Sequence, residues 1–118
     1  MGDYQELIVR QKAMDLAQEV YPCTRGFPKE EIYGLTSQVR RAAVSIPSNL
    51  AEGASRAGSK EFMRFLHIAR GSASELETQL LLAERIGYVS DGKEWLAKLA
   101  GVKQLINGLI RSLKDKAQ

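Results

Sequence analysis

Residues 34–56, GLTSQVRRAAVSIPSNLAEGASR, constrain this chain more than any other stretch. Leu35, Val39, Ala42, Ala43, Ile46 and Leu50 recur there at three- and four-residue spacing, which gathers side chains onto one face of an α-helix. A face so apolar has to be buried. Its reverse carries Arg40, Arg41, Ser48, Asn49 and Glu52 among small residues that let a neighbour approach closely. Pro47 stands inside the pattern, where it removes a backbone donor and is expected to bend or break the helix.

The rest of the chain supplies partners for that face. Val9, Ala13, Leu16, Ala17 and Val20 form a narrow stripe, which predicts a first helix over residues 7–21 after a frayed start. Pro22 is expected to end it, because the residue before a proline is driven out of the helical region. Phe27-Pro28-Lys29-Glu30-Glu31 places a proline and two carboxylates where a short helical turn begins. Ser59 is a candidate N-cap for a long third helix whose stripe runs from Phe62 to Ala83, with Gly87 placed as its C-terminal cap. Leu80, Leu81 and Leu82 are consecutive and point in three directions, so one buried face does not account for all of them. A fourth helix is predicted over residues 92–113, with residues 114–118 fraying. Strand-period alternation and internal repeats are missing, and the connections are short. The expected fold is therefore all-α, a single antiparallel up-down-up-down four-helix bundle spanning residues 1–118.

At 118 residues the chain can bury a core without disulfides or metal. Its single cysteine, Cys23, the lack of a charged leader with an apolar core, and the absence of any run of about 18 apolar residues point to a cytoplasmic protein without a membrane span. A net charge of +3 permits an acidic partner without demanding one.

Enzyme chemistry finds little material, and no cofactor is expected. His67 is the only histidine, which rules out a His-rich metal site within one chain. A di-iron bundle needs a Glu three residues before each ligating His, and here that position is Arg64. Gly53 and Gly58 lack the flanking strand and the Lys-Ser/Thr ending of a phosphate loop. Glu75 and Glu77, two residues apart on a helix, face different ways and suit surface or interhelix ion pairs better than acid–base catalysis.

The basic residues leave two readings open. Lys103, Asn107, Arg111 and Lys114 form a polar stripe opposite the apolar one on the last helix. Such a stripe either tracks phosphates or complements the helix dipole as solvated surface. With no aromatic residue to stack on bases, phosphate contact would read backbone shape and charge. Arg40 and Arg41 lie on different faces, and one of them is expected to pair with Glu52, Glu61 or Glu75. Ser48, Asn49 and Glu52 are expected to satisfy backbone groups freed by Pro47, or to form a polar subunit contact.

The runs YGLTSQVRRAAVSIPSNLAEG (Tyr33 to Gly53) and SKEFMRFLHIARGSASELETQL (Ser59 to Leu80), with FPKEE before them, carry a resemblance over nearly the whole chain. The chain resembles the four-helix-bundle proteins encoded in intervening sequences of bacterial large-subunit (23S) rRNA genes. That fold is similar to the accessory protein of diversity-generating retroelements, which binds nucleic acid and a reverse transcriptase through a basic surface. The resemblance implies a ring-shaped homopentamer, with Val44, Ala51, Leu81 and Leu82 as candidate subunit contacts. It also favours structured RNA or a nucleic-acid-processing protein as partner, with Lys103, Arg111 and Lys114 as the first candidates for contact. The competing expectation is a protein–protein adaptor that binds no nucleic acid.

Overall fold

The computed structural model describes residues 2–117, with side chains from 4 to 116. Four helices make up the described residues: α1 (Gly2–Arg25), α2 (Leu35–Ala54), α3 (Ser59–Arg85) and α4 (Gly92–Ala117), with a 3-10 turn at Lys29–Glu31 before α2. Each helix packs on the next, and α4 closes back onto α1, so the section is a square without close backbone approach across its diagonals among the described residues. Interhelix pairs run antiparallel throughout: Thr24 meets Arg40, Ser45 meets Ser72, Glu77 meets Lys103 while Arg70 meets Asn107, and Glu19 meets Lys98. This is the all-α four-helix bundle that the periodicity predicts.

Every residue of the central apolar stripe is buried, and so are the stripe of α1 and the stripe of α3 from Phe65 on. Ile46, Leu50, Leu66, Leu76, Leu80, Leu99 and Ile106 are the largest fully buried side chains. Burying a side chain of that size stabilises by about 1.5–3 kcal/mol. At Gly53 the two helices come close: a Cβ there would lie 2.8 Å from Phe65 Cβ, so glycine lets α2 and α3 meet at this position.

Four expectations about helix ends need correction. Pro22 lies inside α1, which begins at Gly2 and continues one turn past the proline to Arg25. That turn is held by Thr24, which is buried and whose hydroxyl donates to the Val20 carbonyl at 2.9 Å and accepts from Arg40 Nε at 2.8 Å. These bonds hold the turn after the proline, although the carbonyl that Pro22 leaves without its donor is that of Gln18. Pro47 likewise leaves α2 unbroken and is itself buried. Ser59 does not cap α3; the cap is Gly58 at φ 94°, a conformation that suits glycine, and no side-chain cap bond forms. The fourth helix continues through Ala117, with Lys114 and Lys116 in its last turn complementing the dipole, so of the predicted frayed tail only Gln118 lies outside the described residues.

The Gly87 prediction holds. Gly87 sits at φ 90°, the Tyr88 amide reaches the Ala83 carbonyl at 2.8 Å, and the Gly87 amide reaches Glu84 at 3.1 Å, which is a Schellman cap. The Glu84 side chain then accepts from the Gly92 amide at 3.1 Å, where a carboxylate favours the start of α4.

Candidate interaction surfaces

Two features of the surface have the makings of a site: exposed apolar residues on both sides of α2, and cations near the end of α4. On the α1 side, Val44 and Ala51 line a groove with Met14, Ala17, Tyr21 and Pro47. Met14 and Val44 are 57% and 41% exposed there, and Leu7 continues the seven-residue spacing of Met14 and Tyr21. On the α3 side, helical spacing puts Ile68, Leu82 and Ile86 on the same flank as Glu75 and Gln79, all three apolar residues exposed. Tyr33, 95% exposed, stands at the entrance of the groove between α2 and α3.

The leucine run now divides. Leu80 is buried, Leu82 turns toward α2, and Leu81 follows Glu77 by one turn on the side that meets α4. The four residues singled out for subunit contact therefore occupy more than one surface: Val44 and Ala51 share a groove, Leu82 belongs to a second face, and Leu81 to a third direction.

The basic stripe divides too. Lys103 is half-buried and its Nζ donates to Glu77 Oε1 at 3.2 Å, so its charge is engaged across the α3–α4 seam. Asn107 accepts from Arg70 at 2.8 Å, and Arg70 also bonds His67 Nδ1 at 2.9 Å. Arg111 and Lys114 remain exposed, with no partner among the described residues. The antiparallel arrangement brings Lys60, at the start of α3, to the same end of the bundle. Sequence inspection missed Lys60 because it lies about two helices away along the chain.

Arg40 finds Thr24 and lies 4.8 Å from the centre of the Tyr21 ring, and it pairs with none of the predicted carboxylates. Arg41 pairs with none either. Near Pro47, Asn49 Nδ2 donates to the Ser45 carbonyl at 2.8 Å. The carbonyl that the proline leaves without its donor is that of Ala43, one turn before Pro47, so Asn49 does not fill the predicted role. Glu52 pairs with Arg56 on the surface, and Ser48 is exposed. Cys23 is half-buried; burial, with Asp91 adding to it, pushes its thiol up from the ordinary value, which disfavours a nucleophilic thiolate.

The described residues thus form an antiparallel four-helix bundle with unlike exposed faces on either side of α2. A family model described as 23S rRNA-intervening sequence protein matches residues 5–108, and the chain belongs to that family. Its fold is similar to the crystal structure of a protein of unknown function from the S23 ribosomal protein family of Bacteroides thetaiotaomicron. The TM-score is 0.83 and the identity 21%, covering 91% of this chain and 98% of that one. Among curated proteins none matches. No described helix is long and apolar enough to cross a membrane.

Proposed function

We propose that this protein is a non-enzymatic homo-oligomer, assembled as a ring of five, that binds structured RNA through cations repeated around the ring. The observation that carries the proposal is the pair of unlike faces flanking α2, with Val44 and Met14 exposed on one and Leu82 and Ile86 on the other. A two-fold dimer uses one patch against itself, whereas a closed ring joins two different patches head to tail. Exposed apolar surface of this kind marks association sites.

Arg111 and Lys114 are the phosphate-contacting residues on this reading, with Lys60 beside them, while Lys103 serves the bundle through Glu77. A contact too weak in one protomer gains avidity when repeated around a ring. On this reading the chain would share a basic nucleic-acid surface with the accessory protein of diversity-generating retroelements.

Light scattering of the purified protein tests the assembly. A mass near five chains is expected, and Val44→Glu should reduce it; a monomeric wild type overturns the reading. Binding of a labelled structured RNA across a salt series tests the partner. Affinity should fall steeply as salt rises, because each phosphate contact releases counterions. Reversing Arg111 and Lys114 to Glu should abolish binding at unchanged mass. An intact oligomer that binds no RNA at low salt would leave a protein–protein adaptor as the function.

A further inference from the structure

The seam between α2 and α3 leaves polar groups unpaired. Lys98 bonds Glu19 across α1 and α4, Lys103 bonds Glu77 across α3 and α4, and Arg40 bonds Thr24 across α1 and α2. The α2–α3 groove holds Arg41 and Glu75, both exposed, and no ion pair joins them to each other or to any described residue. Gln79 lies in the same groove, and its Oε1 is buried without a hydrogen-bond donor. Tyr33 presents an almost fully exposed ring at the edge. An exposed carboxylate beside a free aromatic ring suits a guanidinium. That group donates in a planar fork to paired acceptors and stacks on aromatic rings.

We propose that this groove is a receptor for a guanidinium, and that its occupant is Arg41 of a second copy of this chain. The proposal rests on the self-association reading above. Charge complementarity identifies the occupant. Arg41 stands on the outer ridge of α2, where it also lines a small groove with Tyr21, Arg40 and Val44. It is thus the unpaired arginine that accompanies the Val44 face, and a neighbour docking that face onto the α2–α3 side brings Arg41 to Glu75. The contact supplies a partner to the Glu75 carboxylate, which the isolated protomer leaves unpaired.

The full-length protein tests this by analytical ultracentrifugation, with circular dichroism to verify folding. Arg41→Glu and Glu75→Arg, each alone, should weaken association by roughly thirtyfold or more, the loss typical of breaking one partner of a buried charge pair. Glu75→Gln, a milder change, should weaken it in the same direction. An equimolar mixture of the two reversed variants should recover mass above either alone, because every contact between unlike variants again joins opposite charges, with one contact between like variants left in a ring of five. A mixture as dissociated as its components would mean that the two residues do not meet across the contact, and would overturn the proposal. Reversed variants that assemble like the wild type would overturn it while leaving self-association standing. A monomeric wild type would overturn both.

Discussion

Two helical glycines probe the cost of the α2–α3 contact. Gly71 lies in the middle of α3, where changing it to Ala brings a propensity gain of about 1 kcal/mol, whereas Gly53 lies in the last turn of α2, one residue before its end, where the gain is smaller. What differs is the space. A Cβ at Gly71 meets nothing within 4 Å, whereas at Gly53 it would lie 2.8 Å from Phe65 Cβ and 3.0 Å from Phe62 Cδ1. Carbon atoms rest at about 3.5–4.0 Å, so α2 and α3 would have to part by roughly 1 Å. The Phe65 Cβ is fixed to its backbone and cannot swing aside. Overpacking of this kind costs about 1–3 kcal/mol. Gly71→Ala should therefore stabilise by about 1 kcal/mol, and Gly53→Ala should range from neutral to about 3 kcal/mol destabilising. The difference between the two is the steric cost plus at most about 1 kcal/mol of unequal propensity. Urea unfolding of both variants at one protein concentration provides that difference. A gap below about 1 kcal/mol would refute the claim that Gly53 is required by the helix crossing.

Thr24→Val should cost about 1–3 kcal/mol in urea unfolding, because it keeps the shape but leaves Arg40 Nε without its acceptor and the post-proline turn without its hydroxyl bonds. The Tyr88 hydroxyl donates to Glu31 at 3.0 Å, and that bond, with burial and the nearby carboxylates adding to it, holds its pKa above the ordinary 10.0. The neutral phenol is thus favoured by folding, so this contribution is complete below about pH 10 and is lost as pH rises through the raised value. The thermal midpoint of Tyr88→Phe should accordingly decline less than that of the wild type above pH 10. Lys103→Gln should lower stability by no more than about 1 kcal/mol, the range of a partly exposed ion pair, and should leave RNA affinity near the wild-type value in the same salt series.

The four helices and their core were legible because burial imposes the 3.6-residue period on the sequence itself. Leu35, Val39, Ile46 and Leu50 are buried in the structure as their spacing requires. Helix ends were less legible, since they depend on contacts from elsewhere. Pro22 reads as a stop until Arg40, from another helix, is seen bonding Thr24 beyond it. The candidate sites show the same limit. Lys103, Arg111 and Lys114 are equivalent along one helix, and only the position of Glu77 on α3 separates the first from the other two. Similarly, the leucine run announced three directions without saying which neighbour each would face. Periodicity shows how a helix divides its own surface; the partner of each outer position depends on how the helices are assembled.

This distinction bears most on α2. Its apolar face fixes the core, and a helix serving only that purpose would carry solvated charge on both flanks. Here the flank toward α1 is apolar, with Val44, Ala51 and Pro47 along a groove, while on the flank toward α3 Ser45 bonds Ser72 and Gln79 lacks a donor beside the exposed Ile68, Leu82 and Ile86. Among the described residues the α1–α4 and α3–α4 seams close ion pairs within the chain, and neither flank of α2 does. The unlike flanks are accounted for if a second copy approaches α2 from one side while a third approaches from the other. Arg41, on the ridge between them, is then positioned to link successive contacts, since it leaves one face of its own protomer to reach the opposite face of the next.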